Sequence, residues 1–156
     1  MLIIKPVLTK ELIEEIRYLF IEYASELSVD LEFQNFDEEL NTLPGHYAPP
    51  KGSILIAYYK ENLAGCVALR QFQDDICEMK RLYVRSEFRG KKIGKALSKE
   101  IIQKAKELDY KFMRLDTLPF MKEAITLYSD LGFKEIKSYR YNPFDEAKFF
   151  ELKLDI

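Results

Sequence analysis

The chain has 156 residues, 47% of them hydrophobic and 32% charged, and its 24 basic and 26 acidic residues give a net charge of −2. These values are ordinary for a single globular domain over 1–156, and they argue against a broad nucleic-acid footprint, which needs a basic excess. No apolar run approaches the ~18 residues of a membrane span and no signal peptide is predicted, so we expect a cytoplasmic protein without membrane contact.

Cysteine and histidine are too few for a disulfide framework or a histidine-based metal site. Cys66 and Cys77 lie in apolar, strand-like segments and are predicted to be reduced core thiols. The single histidine, His46, lies in a Pro-Gly loop and is interpreted as a loop residue, so no metal is predicted.

Hydrophobic periodicity predicts the elements of the first half. In chain order they are a strand at 2–5, a helix from Thr9 to about Leu27, a short helix at 36–40, and strands at 53–59, 63–72 and 76–84. Thr9 is predicted as the N-cap of the first long helix, since its hydroxyl can accept a free backbone N–H.

The second half alternates helices and strands. In chain order it is predicted to hold a helix after Gly94, a strand at 111–116, a helix with Pro119 in its first turn and Gly132 at its C-cap, and strands at 134–139 and 148–154. This order predicts an α/β (α+β) domain, with a mixed, mostly antiparallel sheet of about seven strands and helices on both faces.

The segment Arg89-Gly-Lys-Lys-Ile-Gly-Lys95 connects a strand to a long helix. A helix N-terminus has unpaired N–H donors and a partial positive charge, and glycines allow the backbone to approach a bulky anion closely. The segment is therefore predicted to bind a phosphorylated ligand.

Two common phosphate loops do not fit this segment. Gly90 and Gly94 are too close together for the P-loop pattern, and Ala96 stands where that loop needs a hydroxyl for magnesium. A dinucleotide-binding turn would need a G-x-G-x-x-G run after an early parallel strand, and that spacing fails as well.

A third pattern matches. Arg89-Gly-Lys-Lys-Ile-Gly94 resembles the Arg/Gln-x-x-Gly-x-Gly/Ala signature of the GNAT N-acetyltransferase superfamily of acyl-CoA N-acyltransferases. The strand Glu78-Met-Lys-Arg-Leu-Tyr-Val84 and the helix Ala124-Ile-Thr-Leu-Tyr-Ser-Asp-Leu-Gly-Phe133 are similar to the elements that flank this loop in the family. The element order also agrees along nearly the whole chain, so the resemblance implies a GNAT-like fold.

The resemblance implies direct transfer of an acetyl group from acetyl-CoA to an amine. It assigns coenzyme A binding to two runs, which are Leu82, Tyr83 and Val84 for the pantetheine arm, and Arg89, Gly90, Lys91, Lys92, Ile93, Gly94 and Lys95 for the pyrophosphate. Lys92 departs from the pattern because relatives usually have a glycine there, and Met121 stands where many have an asparagine.

Two residues are predicted to carry the chemistry. Glu78 is the candidate base, directly or through a water, and its apolar neighbours are expected to raise its pKa; an ion pair with Arg70, Lys80 or Arg114 is the alternative. The resemblance assigns Tyr128 as the acid for the departing thiolate, with a core tyrosine as the alternative. A backbone N–H near Leu82 is the candidate donor to the oxyanion.

The acceptor is not identified by the sequence. Its candidate contacts are Phe33, Tyr47, Tyr139, Tyr141 and Asn142. Acids and aromatics in 28–52 and 139–147 suit a small cationic or aromatic amine, and a small-molecule acceptor is favoured over a protein amine. The alternative function is a non-catalytic acyl-CoA-binding sensor, and because relatives often pair, a homodimer is left open.

Overall fold

The computed structural model describes residues 1–27, 35–142 and 146–154. Within these residues four α-helices are formed, which are α1 (Lys10–Leu27), α2 (Phe36–Thr42), α3 (Ile93–Glu107) and α4 (Lys122–Asp130). The same residues form seven strands, which are β1 (Leu2–Pro6), β2 (Ser53–Tyr59), β3 (Asn62–Gln73), β4 (Ile76–Val84), β5 (Phe112–Thr117), β6 (Lys134–Ile136) and β7 (Lys148–Lys153).

All seven strands join one sheet in the order β1-β2-β3-β4-β5-β7-β6. Every neighbouring pair is antiparallel except β4 and β5, which run parallel because α3 connects them. The predicted mixed, mostly antiparallel sheet of about seven strands is confirmed.

Helices cover both faces of the sheet, as predicted. On one face α3 and α4 pack on a core that draws buried side chains from both halves of the sheet, including Leu69, Met113 and Phe150. On the other face α1 and α2 pack on a second core that lies only over the first half, around Phe20 and Ile56. Cys66 and Cys77 are buried free thiols, one in each core.

The centre of the sheet is irregular at two points. β4 pairs with β5 only from Ile76 to Glu78, so the two strands separate beyond that point. On its other side, β4 bulges at Arg81, where φ is +60° and the register with β3 shifts. The Cys66 thiol donates a hydrogen bond to the Arg81 carbonyl at this bulge (3.4 Å). The result is a gap between β4 and β5 at the middle of the sheet.

Two predicted boundaries were wrong. The α4 helix begins at Lys122 instead of near Pro119, because the Met121 N–H donates to the Leu118 carbonyl (3.1 Å) and closes a turn first. Strand β6 ends at Ile136 instead of 139, since the following segment leaves the sheet and carries Tyr139 to Glu78.

A Thr9→Ala variant is expected to lose about 1 kcal/mol of unfolding free energy. The predicted N-cap is confirmed, because Thr9 Oγ1 accepts a hydrogen bond from the Leu12 N–H (3.2 Å). Urea unfolding of the variant beside Thr9→Ser, which keeps the hydroxyl, measures the effect. Equal midpoints for the wild type and Thr9→Ala would refute a contribution from the cap.

Candidate functional site

A large groove of about 680 Å³ lies between the end of β4, the start of α3 and the N-terminal part of α4. Its lining includes Leu82, Tyr83 and Val84 from β4, Arg89, Gly90, Lys92, Ile93, Gly94 and Lys95 from the loop and α3, and Phe120, Met121, Ala124 and Leu127. The structure therefore brings together nine of the ten residues that the sequence assigned to a phosphorylated ligand.

Lys91 is the exception. Its Nζ lies 5.0 Å from the centre of the Tyr59 ring, and its side chain does not line the large groove. A cation over an aromatic face is attracted by the ring quadrupole, which accounts for this orientation. The predicted contact of Lys91 with the pyrophosphate involves its backbone N–H, and it stays a prediction.

The loop has the backbone geometry of an anion site. Lys92 caps α3 with φ +63°, and its side chain makes no capping hydrogen bond. The first N–H groups of α3 have no intrahelical acceptor, and the residues at this helix start line the large groove. Lys92 thus adopts a left-handed conformation, which a glycine adopts more readily, at a modest energetic cost.

Gly94 forms part of the groove wall. A Cβ atom built on it would lie 3.6 Å from Val84 Cγ2 and 3.9 Å from Leu127 Cδ2. Both of these residues also line the large groove. A methyl group fits at this point, whereas a longer side chain would extend into the space of the ligand.

The carboxylates of Glu22 and Glu26, on α1, bind two side chains that line the large groove. Tyr83 Oη lies 2.7 Å from Glu22 Oε1 and 2.8 Å from Glu26 Oε2, and its pKa is raised by burial and by these carboxylates. Arg89 forms an ion pair with Glu26 and donates from Nε to the Val84 carbonyl (3.1 Å). The side chain of Arg89 is thereby positioned at the groove, next to the free N–H groups of the loop.

A smaller cavity of about 50 Å³, here called the inner cavity, lies in the gap between β4 and β5. It is lined by Met79, Lys80, Arg81 and Leu82 of β4, by Leu115, Asp116, Thr117 and Leu118, and by Tyr23, Leu27, Met121, Tyr128 and Asn142. Leu82 and Met121 line the large groove as well, so the two spaces adjoin.

Tyr128 lines the inner cavity from α4. It is 6% exposed and packs against Phe133 and Phe150 at ring-centre distances of 5.7 and 6.3 Å. Burial raises its pKa well above the usual value, so the phenol keeps its proton at neutral pH. The residue is a core tyrosine and also a possible proton donor to the cavity, and the two interpretations are compatible.

Glu78 lies in a charged cluster beneath the inner cavity and lines neither space. Its carboxylate is fully buried and accepts hydrogen bonds from Arg70 Nε (3.0 Å) and the Tyr139 hydroxyl (2.8 Å), with Arg140 as a second ion-pair partner. Burial raises its pKa, but Lys80, Arg140 and Arg70 outweigh burial and lower it far below the usual range. The expected raised pKa is therefore wrong, because the apolar neighbours in sequence point away from this carboxylate.

Asp116 and Lys80 were missed as site residues. Lys80 is 6% exposed, and burial, followed by the charge of Arg81, lowers its pKa to about 8. Asp116 Oδ2 is a buried oxygen without a hydrogen-bond partner among the described residues. One signal could have revealed Asp116: in 112–117 apolar Met113 and Leu115 alternate with charged residues, which places the acid on the opposite face of the strand.

The candidate acceptor contacts are scattered. Asn142 lines the inner cavity, and Tyr139 binds Glu78. Tyr47 is buried and lines a separate cavity beneath α2, while Tyr141 is 75% exposed and lines none of the cavities described above. Neither Tyr47 nor Tyr141 lines the inner cavity, and both stay predictions as acceptor contacts. Phe33 lies outside the described residues.

Two general site types were also checked over the residues that the structure describes. Within 1–27, 35–142 and 146–154, no group of three His, Cys, Asp or Glu side chains is placed to hold a metal ion. None of the helices in those same ranges is both long and apolar enough to cross a membrane.

Comparison with known proteins agrees with the geometry. The sequence profile described as the Acetyltransferase (GNAT) family matches residues 13–133. An uncharacterized N-acetyltransferase of Schizosaccharomyces pombe is 42% identical, over 91% of this chain and 88% of its own. The N-acetylaspartate synthetase of Homo sapiens is 36% identical, over 58% of this chain and 31% of its own.

Solved structures show the same fold. An acetyltransferase of the GNAT family from Staphylococcus aureus superposes with a TM-score of 0.82 at 22% identity, covering 99% of this chain and 100% of its own. A putative acetyltransferase of Salmonella typhimurium, solved with its cofactor acetyl-CoA, gives 0.71 at 17% identity over 99% of this chain and 94% of its own.

Proposed function

Because the chain belongs to the acetyltransferase (GNAT) family and is an acetyl-CoA-dependent N-acetyltransferase, we propose that it acetylates the primary amine of a small molecule by direct transfer. One observation carries the proposal. The large groove, which has free N–H donors at the start of α3, meets the inner cavity at Leu82. A phosphorylated donor and an amine can therefore approach the same point of β4.

The residues of the large groove fit coenzyme A. The N–H groups from Lys92 to Lys95 are proposed to bind its pyrophosphate, and the absence of a side chain at Gly94 leaves room for it. Backbone groups from Leu82 to Val84 are proposed to pair with the pantetheine arm, since β4 has no β5 partner there. Bound acetyl-CoA supplies an activated thioester at the entrance to the inner cavity.

Two groups of this chain are proposed to act on that thioester. Arg81 and Leu82 fall outside the register with β3, so the bulge can direct the Leu82 N–H toward the oxygen that gains charge. The Tyr128 phenol, which is protonated at neutral pH, is proposed to give its proton to the departing sulfur. Glu78 stays a prediction as the base, but its full burial and three bound partners favour a structural role.

The proposed acceptor is small and carries a carboxylate beside its amine. The inner cavity has a volume of only about 50 Å³, which disfavours a bulky protein segment. Three cations surround the single carboxylate of Glu78, and they are Arg70, Lys80 and Arg140. Lys80, one of these cations, also lines the inner cavity, together with Asp116. The name of the human relative, N-acetylaspartate synthetase, supports the same class of acceptor.

This proposal differs from the cationic or aromatic amine that the loop composition suggests. Glu39, one of the acids of 28–52, is committed to Arg81 through two hydrogen bonds of 2.9 Å each. Its carboxylate is consequently neutralised and offers little attraction to a cationic acceptor.

Release of free thiol from acetyl-CoA tests the proposed function. L-aspartate, L-glutamate, spermidine, tyramine and a lysine-containing peptide serve as the acceptor panel. We expect thiol release at least tenfold faster with the two amino acids than with the other amines. Acetyl-CoA-dependent thermal stabilisation without thiol release from any amine would favour the sensor function instead, and faster release with spermidine or the peptide would refute the acceptor class.

A further inference from the structure

Asp116 is the charged side chain of the inner cavity whose hydrogen bonding is incomplete. Its Oδ2 atom is buried and has no hydrogen-bond partner among the described residues. A buried carboxylate oxygen without a donor costs free energy, and an ionised carboxylate can accept several hydrogen bonds. Such an oxygen calls for a donor that is not among the described residues, such as a water or a ligand.

The position of Asp116 indicates that the donor enters through the inner cavity. β5 loses its β4 partner after Arg114, and Asp116 lies two residues further on, at the wall of the gap. Tyr128 and Leu82 line the same cavity, so the orphaned oxygen, the proposed acid and the proposed oxyanion donor share one small space. A group entering this cavity is therefore close to all three.

The titratable groups near Asp116 lie on several elements. They are Tyr23 on α1, Lys80 on β4, Tyr128 on α4, and Tyr139 and Arg140 in the segment after β6. Lys80 and Arg140 are cations, and burial keeps the three phenols protonated and neutral. The groups around Asp116 therefore include two cations, while the phenols add no charge.

Two comparisons within the chain sharpen the interpretation. Glu78, another acid near the inner cavity, already has three partners and no exposed surface. Ser98 Oγ is also buried without a partner among the described residues, but it lies on α3 and lines none of the cavities described above. Asp116 alone of these three combines an unpaired oxygen with a position in the cavity.

We propose that Asp116 is a catalytic residue that binds the acceptor amine through Oδ2 and takes its proton during acetyl transfer. The proposal rests on the proposed function. As the N–C bond forms and the C–S bond breaks, the proton leaving the nitrogen passes to Asp116, and the sulfur takes the Tyr128 proton. Water then removes the proton from Asp116 and returns one to Tyr128, so both residues are restored.

The test compares Asp116→Asn with Ser98→Ala, using the panel amine that gives the fastest thiol release with the wild type. Asp116→Asn keeps the shape of the side chain and removes the base, so kcat is expected to fall about 100-fold or more. Stabilisation by acetyl-CoA is expected to be unchanged, because Asp116 lies outside the large groove. Ser98→Ala is expected to keep full activity.

A rescue experiment completes the test. Formate, a small carboxylate, is expected to restore activity to Asp116→Ala at least tenfold. Wild-type kcat in Asp116→Asn, or a misfolded Asp116→Asn together with no formate rescue of Asp116→Ala, would overturn the proposal. A wild-type protein that releases no thiol with any panel amine contradicts the proposed function itself, which is a different outcome.

Discussion

A Glu78→Ala variant is expected to lose about 3 kcal/mol of unfolding free energy, because removing one partner of a buried ion pair leaves the other charges uncompensated. The carboxylate of Glu78 is fully buried, whereas the side chains of Arg70 and Arg140 keep 28% and 20% of their exposure. Water can reach these guanidinium groups in the variant, so the loss lies at the lower end of what buried pairs show. Denaturant unfolding measures it.

The matched control is Glu151→Ala. Glu151 accepts from Arg114 Nε at 2.7 Å, but both side chains are 24% exposed, so this loss is expected to stay within about 1 kcal/mol. Equal losses in the two variants would contradict the special role assigned to burial of Glu78.

The effect of Glu78 should also depend on pH. Its folded-state pKa is lowered, so its stabilisation is fully present above the unfolded value of about 4.3 and is lost as the pH falls toward the folded value. The difference in unfolding free energy between the wild type and Glu78→Gln is therefore expected to be constant from about pH 5 to 8 and to shrink below about pH 4.

A Gly94→Glu variant is expected to lose the stabilisation that acetyl-CoA gives the wild type. A ligand at about 100 times its dissociation constant adds about 2.7 kcal/mol to the folded state, which raises the thermal midpoint visibly. The glutamate side chain would extend past Val84 and Leu127 into the large groove and place a negative charge at the proposed pyrophosphate site. Thermal unfolding with and without acetyl-CoA measures the difference.

Gly94→Ala separates the ligand effect from a folding effect. The added methyl group has only ordinary contacts at 3.6 and 3.9 Å, and alanine is a better helix former than glycine. This variant is expected to be at least as stable as the wild type without ligand and to retain most of the response to acetyl-CoA. A full response in a folded Gly94→Glu would mean that the pyrophosphate does not bind at this loop.

Local patterns in the sequence were sufficient for most of the fold. Helical periodicity and Thr9 located α1, and the apolar runs of β2 to β4 gave strand positions that agree to within a residue or two. The start of α4 was missed because it depends on a turn between Leu118 and Met121 that no propensity encodes. The end of β6 was missed because a distant carboxylate, Glu78, binds Tyr139.

The site was predictable only where it is built from consecutive residues. The loop at 89–95 is one stretch of chain, and its turn and helix start follow from its own composition. The surroundings of Glu78 come from β3, β4 and the segment after β6, so its neighbours in sequence, Cys77 and Met79, gave the wrong direction for its pKa. Asp116 can be recognised as a site residue only from the gap between β4 and β5, which is a feature of the folded sheet.

The two faces of the sheet differ in how much helix covers them. Toward α3 and α4 one continuous core spans both halves, while the α1 and α2 core stops at β4 and leaves β5 and β7 to aromatic and charged side chains, among them Phe72, Tyr139 and Arg140. Among the described residues, these side chains belong to neither core, so a substitution here leaves the packing of both cores unchanged. The sheet therefore has two kinds of surface, one fixed by tight apolar packing and one whose side chains are held mainly by charge and ring contacts.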